Sequence, residues 1–243
     1  MEPIYRKTYP ITASIVDRYR RLKPSHLLAF AQEVAGDHFN SFGINLTTAD
    51  QKHLFWAVIR HKVQITRLPL EGETITVETW PLPTTRVAFP RSTVAYDANG
   101  EEVFRSISLW VLMDQESRNM ILPGKSGVDV PGLIRGNELT APGSLGPKAL
   151  DRHYSHTVGY SELDYNGHVN NTKYLDWMDD LLPSAFHQAH PLKEFTICYL
   201  NEAMEGQQLD LNWELQDGPT LRVDAHRGAD LQERVFSAQA VYE

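Results

Sequence analysis

The sequence contains one unit twice. Asp17 and Asp164 stand 147 residues apart, and at that offset Leu22, Ser25 and Leu28 fall on Val169, Thr172 and Leu175. Further on, Glu71-Gly72 matches Glu205-Gly206 at offset 134, and Val103-Phe104 matches Val235-Phe236 at offset 132. Matches that keep their order while the offset shrinks describe a duplicated unit whose second copy has lost loop residues. Between the copies, residues 122–148 hold 10 of the 29 glycines and prolines of the chain. Such a stretch is expected to sustain neither helix nor strand and to act as a linker. The expected division is therefore 1–121, a linker over 122–148, and 149–243, and 243 residues suit two domains of roughly 100–120 each.

Each copy reads as a short strand, a turn, one long helix and then several strands. Pro24-Ser25 starts the first helix, along which Leu27, Leu28, Ala31, Val34 and Phe39 follow a helical stripe. In the second copy Tyr174, Leu175, Met178, Leu181 and Leu182 repeat at helical spacing until Pro183 ends the run, with Trp177 beside the stripe as a core residue. Residues 74–80, 91–96, 103–113, 195–200, 209–215, 220–226 and 234–242 are rich in β-branched and aromatic side chains, and Asp97-Ala98-Asn99-Gly100 and Asp217-Gly218 supply hairpin turns. A helix followed by antiparallel strands is an α+β unit in which the sheet wraps a central helix. That is the hot-dog arrangement, expected here as two tandem domains.

Composition narrows the chemistry. At 42% hydrophobic and 22% charged the chain is an ordinary globular one. Its single cysteine, Cys198, excludes an internal disulfide and a cysteine-rich zinc site. No apolar run approaches the ~20 residues that span a bilayer, and the first residues lack an apolar signal core; a reducing cytoplasm is the expected location. The net charge of −8 divides into about +2 over 1–148 and −10 over 149–243. An acidic chain is a poor nucleic-acid binder, since affinity for a duplex depends on neutralising phosphates. The densest basic run, Arg18, Arg20, Arg21 and Lys23, reads either as a solvated turn or as a landing site for an acidic partner.

One segment concentrates chemistry. Asp164-Tyr165-Asn166-Gly167-His168-Val169-Asn170-Asn171 packs a carboxylate, an imidazole and three carboxamides in front of an apolar helix. Asn, Asp and Gly also favour turns and caps for local reasons, and the repeat separates the two explanations. At offset 147, Asn166, His168, Asn170 and Asn171 correspond to Tyr19, Arg21, Lys23 and Pro24, and only the aspartates agree. Asn166 and His168 therefore look functional, while Asp164 owes part of its identity to the turn. Glu202 is a second candidate, because its counterpart at offset 134 is Leu68.

A helix N-terminus offers unpaired N–H groups and partial positive charge. A thioester carbonyl placed there would have its developing oxyanion stabilised, with the Val169 and Asn170 amides as the expected donors. A nearby carboxylate could take a proton from water while Asn and His fix the reactants. The residues leave open whether Asp164 or Glu202 is that base. No metal or cofactor is expected; His187 and His190 lack a third ligand. No GxxxxGK[ST], GxGxxG or GxSxG pattern occurs, and Cys198 lies in an apolar strand, where a thiol is inert.

The pattern Asp164-x-Asn166-x-His168-Val169-Asn170-Asn171-x-x-Tyr174, with Tyr199-x-x-Glu202 downstream, resembles the signature of acyl-[acyl-carrier-protein] thioesterases. The first copy also fits, through the run from Ser108 to Asp114 and then Ile121-Leu122-Pro123. The resemblance implies release of fatty acids from acyl carrier protein in type II fatty acid synthesis, with Asp164, Asn166, His168 and Glu202 as the catalytic set. It also implies a first domain that holds the acyl chain and sets its length preference. Plant members carry cysteine directly after that glutamate; Ala203 stands there here, so a cysteine–histidine mechanism is not expected at that site. Without a plastid transit peptide the chain resembles a bacterial, cytoplasmic member. An acidic carrier protein makes the basic run a docking candidate. Acyl-CoA hydrolysis and non-catalytic binding of acyl thioesters are the alternatives, and a further pairing into a homodimer is left open.

Overall fold

The computed structural model describes residues 2–41, 53–228 and 233–243. They form two compact units, Met1–Ala141 and Pro142–Glu243. The first contains strands β1 (Tyr5–Pro10), β2 (Leu54–Ile65), β3 (Thr74–Pro81), β4 (Phe89–Tyr96), β5 (Glu102–Asp114) and β6 (Met120–Ile121), with helices α1 (Pro24–Ser41) and α2 (Pro123–Ser126). The second contains β7 (Arg152–Thr157), α3 (Lys173–Asp180), α4 (Ser184–Ala189), β8 (Leu192–Tyr199), β9 (Gln208–Gln216), β10 (Thr220–Arg227) and β11 (Glu233–Tyr242). Strand order is β1-β3-β4-β5-β2 in the first unit and β7-β9-β10-β11-β8 in the second, each pair within a unit antiparallel. The two orders are one permutation, as the shrinking offsets require. Each sheet wraps a helix, so the hot-dog fold occurs twice.

Burial explains the helices. Leu27, Leu28, Ala31, Val34, Ala35 and Phe39 form the buried stripe of α1, while Tyr174, Leu175, Trp177 and Met178 do the same for the shorter α3. In the second unit Tyr174 packs on Phe236 of β11 at 4.7 Å and on Tyr199 of β8 at 5.6 Å between ring centroids. Strand β2 is absent from the sequence reading. Its alternation is broken by Arg60, His61 and Lys62 and by a register shift between Val58 and Arg60, so no period of two shows. Helix α4 is likewise unforeseen; Pro183 ends the apolar run but restarts a helix as its N-cap.

The Gly/Pro-rich stretch is divided between the units. Pro123–Ser126 forms one helical turn, contrary to the expectation of no helix there, because proline suits the first turn and Gly127 closes it at φ 67°. Residues 130–138 fold back over the outer face of β3. Leu133 N–H donates to the Pro81 carbonyl at 2.8 Å, the Trp80 indole donates to Glu138 at 3.3 Å, and the Arg135 guanidinium lies 4.6 Å over the Trp80 ring. The approach is close enough at Gly132 that a Cβ there would lie 2.3 Å from the Pro83 nitrogen. Residues 143–148 serve the second unit similarly: the Gly146 carbonyl accepts from Arg222 at 2.7 Å, and Lys148 N–H donates to the buried Asp224 at 3.0 Å.

Gly132→Ala is therefore expected to destabilise the protein by about 1–3 kcal/mol through overpacking against backbone. The urea midpoint measures it, and an unchanged midpoint would mean that this segment does not press on the sheet.

Candidate active site

The turn that precedes each helix is built by one aspartate. In the second unit Asp164 N–H donates to the His168 carbonyl at 2.7 Å, and Asp164 Oδ1 accepts from the N–H groups of Asn166 at 2.8 Å and His168 at 3.3 Å. Asp17 does the same in the first unit, donating to the Arg21 carbonyl at 2.7 Å and accepting from Tyr19 at 2.8 Å and Arg21 at 2.9 Å. An aspartate that satisfies two amides of its own turn is required by that turn. Gly167 takes the left-handed position at φ 79°; its counterpart Arg20 holds φ 63° without being glycine.

On this shared frame the second unit carries different side chains. His168 Nε2 lies 3.3 Å from Glu202 Oε2; His168 is 8% exposed, whereas the Glu202 side chain is 44% exposed. The His168 backbone is bridged to Met204, and Val169 N–H donates to the Ala203 carbonyl at 2.8 Å, so the Glu202 loop is fixed against the turn. Arg227 secures the loop from the other side through the Glu202 carbonyl and Gln207 Oε1. Asn166 is exposed and its Nδ2 reaches Asp164 Oδ2 at 3.4 Å. The four sequence candidates thus fall into two linked pairs, Asp164 with Asn166 and His168 with Glu202.

The amides expected to hold an oxyanion are engaged elsewhere. Val169 donates to Ala203 as above, and Asn170 N–H donates to the Glu162 carbonyl at 2.8 Å. Neither has a hydrogen left for a ligand in this arrangement. The Asn170 carboxamide instead caps α3, with Oδ1 accepting from Thr172 N–H at 3.0 Å and Thr172 Oγ1 at 2.9 Å. Among the described residues nothing accepts from the N–H of Asn171, whose carbonyl accepts from Tyr199 Oη at 3.1 Å. The counterpart of Asn171 is Pro24, which has no N–H at all. Comparing the two copies at this position is the sequence signal that marks Asn171.

A network absent from the sequence reading holds the helix in place. Glu162 accepts from Gly159 N–H at 2.7 Å, from the Trp177 indole at 2.6 Å and from His156 Nε2 at 3.0 Å, and His156 packs on Trp177 at 4.4 Å. The first unit places Ile15, Phe30 and Tyr9 at these positions, with Tyr9 stacked on Phe30 at 4.2 Å. Burial opposes ionisation of Glu162, yet the hydrogen bonds from Gly159, Trp177 and His156 outweigh it and hold the carboxyl below its ordinary range.

The remaining candidates are placed as follows. Arg20 pairs with Glu71 at 2.8 Å and its side chain is 72% exposed, while Arg21 pairs with Asp17 at 2.8 Å. The Arg18 and Arg21 guanidinium groups both lie over the Tyr19 ring, and Arg18 is exposed while Lys23 is half-buried. Cys198 is buried, and Ala203 is fully buried beside Glu202. His187 and His190 each donate to a carbonyl, of Asp179 and Glu243, and no cluster among the described residues could hold a metal.

Two hot-dog units in one chain, one of them bearing an imidazole–carboxylate pair at the entry of its helix, define a double hot-dog protein with one such candidate site among the described residues. The chain belongs to the acyl-ACP thioesterase family: the family's N-terminal domain matches residues 2–122 and its C-terminal domain residues 147–233. It is 25% identical to the chloroplastic oleoyl-acyl carrier protein thioesterase 1 of Arabidopsis thaliana, over 85% of this chain and 62% of that protein. It is 27% identical to the chloroplastic dodecanoyl-[acyl-carrier-protein] hydrolase of Cinnamomum camphora, over 82% of this chain and 56% of that one. The chain thus spans under two thirds of the length of these relatives. Its fold matches an acyl-ACP thioesterase from Bacteroides thetaiotaomicron with a TM-score of 0.90 at 22% identity, covering 99% of this chain and 98% of that one. The 12:0-ACP thioesterase from Umbellularia californica matches with a TM-score of 0.84 at 24% identity, covering 100% and 98%.

Because the folded state holds Glu162 more acidic than the unfolded chain does, its charged form contributes stability above the ordinary carboxyl pKa, and that contribution is lost as pH falls through the folded value. Glu162→Gln should cost about 1–3 kcal/mol at pH 7. The deficit should shrink as acid titrates the wild-type carboxyl. Urea midpoints at neutral and acidic pH measure the difference, and a deficit independent of pH would rule out the charged network.

Proposed function

We propose that this chain hydrolyses fatty acyl thioesters of acyl carrier protein, releasing free fatty acid in type II fatty acid synthesis in the cytoplasm. The observation that carries this reading is the His168–Glu202 pair beside a helix N-terminus, in the one unit that has these residues. The names of the relatives, thioesterases and hydrolases of oleoyl, dodecanoyl and palmitoyl carrier-protein substrates, supply the substrate class.

In this reading Glu202 is the base, since the Asp164 carboxylate is already committed to the turn and to Asn166. A water oriented by the Asn166 carboxamide gives its proton to Glu202 while its oxygen attacks the thioester carbonyl carbon. The charge that forms on the carbonyl oxygen is met by the Asn171 N–H at the positive end of α3. Collapse of the tetrahedral intermediate breaks the C–S bond, and the proton held by Glu202 passes to the departing sulfur. Fatty acid and free thiol leave, and the carboxylate is restored. His168 holds the Glu202 carboxylate in position. The N-terminal unit holds the acyl chain, and the basic run docks the carrier through its exposed members, Arg18 and Arg20, flanked by Arg21 and Lys23.

Incubation with acyl carrier protein and CoA thioesters of several chain lengths, followed by free-thiol release, tests the assignment. No turnover of either class leaves only acyl-thioester binding, and preference for CoA replaces the carrier protein as substrate. His168→Ala and Glu202→Gln should each lower turnover about 10²-fold or more, whereas Cys198→Ala should retain most activity. Reversing charge at Arg18 and Arg20 should raise KM for carrier-protein substrates more than for CoA ones. An equal rise for both classes counts against docking there.

A further inference from the structure

The first unit buries a charge for which its described residues provide no counter-charge. Arg91 of β4 is 1% exposed. The register sets it directly across from Ser108 of β5, which lies across from His61 of β2. Opposed residues of antiparallel strands share a face. Arg91, Ser108 and His61 therefore form one row facing α1, and Thr79, Thr93 and Ser106 form the next.

Arg91 reaches α1 directly. Its Nη1 meets His38 Nδ1 at 3.1 Å and donates to Thr79 Oγ1 at 3.2 Å, and the guanidinium lies 4.3 Å over the Phe39 ring. Among the described residues nothing pairs with its Nε or Nη2, and the two acids of α1, Glu33 and Asp37, both pair with Lys7. His61 leaves both ring nitrogens without a partner and Ser106 its hydroxyl. Burial pushes the Arg91 guanidinium down to about 9, which keeps it charged at neutral pH, and pushes His61 down to about 3, which keeps it neutral.

The fold does not demand this polarity. Carrying Phe104 onto Phe236 through the two registers places Leu221, Val223, Ala238, Ala240 and Phe195 where the first unit has Arg91, Thr93, Ser106, Ser108 and His61. All five are buried and apolar. The comparison that singles out His168 and Glu202 in one unit singles out this row in the other.

The two unpartnered nitrogens also have a geometry. Nε–H and the neighbouring Nη2–H run parallel along one edge of the planar guanidinium, the edge that meets both oxygens of a carboxylate. Buried polar groups left open in a native structure are met by water or by something that binds. Phe39, whose ring face the guanidinium covers, belongs to an apolar cluster with Phe89, Leu112 and Val130, rimmed by partly exposed Trp56 and Trp110. A charged fork adjoining an apolar cluster fits an anion with an aliphatic body better than it fits water or an inorganic ion.

We propose that the N-terminal unit carries a buried site for an aliphatic carboxylate, gripped by Arg91 Nε and Nη2, with His61 and Ser106 as further polar groups of its wall. The carboxylate belongs either to a free fatty acid or to the far end of an acyl chain.

Calorimetric titration of the whole chain tests this with three probes. They are decanoate, decanol, and a non-hydrolysable pantetheine amide whose ten-carbon acyl chain ends in a carboxylate. At least one carboxylate probe should bind about tenfold or more tighter than decanol, and which one binds identifies the source. Arg91→Met should remove that advantage and leave decanol unchanged, while Arg91→Lys, a point charge without the fork, should restore part of it. In the wild type the Arg91 Nε resonance should shift on addition of the bound carboxylate, a readout that no variant's folding can disturb. No carboxylate binding, an unmoved Nε resonance, or equal binding by Arg91→Met would each overturn the site, the first two leaving water as its occupant; none of these readouts depends on thioester hydrolysis.

Discussion

Everything at the candidate site hangs from a carboxylate that does no chemistry in the proposed reaction. Asp164 closes its turn by accepting from the amides of Asn166 and His168, and Asp17 repeats the arrangement with Tyr19 and Arg21. The turn fixes the direction in which the chain enters each helix, and so it fixes where the helix's positive end points. Satisfying these amides locally matters because the entry segment has no ladder of its own to donate to. An acceptor lost here would cost about 1–3 kcal/mol per orphaned group, and it would loosen every residue from 166 to 171 at once. Loss of activity on replacing Asp164 is therefore weak evidence that its carboxylate touches substrate.

The same frame supports opposite solutions in the two units. In the second, the helix is pinned by a polar hub, Glu162 with Gly159, His156 and Trp177, and an amide at Asn171 is left open to solvent chemistry. In the first, Tyr9 stacked on Phe30 pins it, Ile15 stands in place of Glu162, and Pro24 removes that amide. The interior reverses the pattern. The sheet face behind α3 is apolar at positions where the face behind α1 carries Arg91, His61, Ser106 and Ser108. Each unit is polar where the other is apolar, on one shared backbone plan.

The repeat made most of this legible from residues alone. The shrinking offsets gave two units, and runs rich in β-branched and aromatic side chains gave β3–β5 and β8–β11. Strand β2 escaped because its inward row includes His61, so the feature that hid the strand is the feature that makes its face unusual. His168 and Glu202 were visible because Arg21 and Leu68 replace them in the first copy. The engagement of the Val169 and Asn170 amides has a definite cause. A helix N-terminus guarantees unpaired amides only when nothing nearby accepts from them, and the Ala203 and Glu162 carbonyls do. Those acceptors come from a loop and a turn that sequence spacing alone does not bring near.

Ala203 shows how such a loop constrains the choice of mechanism. It is fully buried, and its carbonyl takes the Val169 amide, so the residue beside Glu202 packs inward while Glu202 faces solvent. A nucleophile placed there would sit on the inner side of the loop, away from the 44% exposed carboxylate that a thioester can approach. Cys198, the one cysteine of the chain, is buried too, in β8, so its thiol is closed off as position 203 is. Hydrolysis by activated water then needs a carboxylate that is solvent-facing, tethered and not consumed by its own turn. Asp164 fails the last condition, and Glu202, held by His168 on one side and by Arg227 through its carbonyl on the other, meets all three.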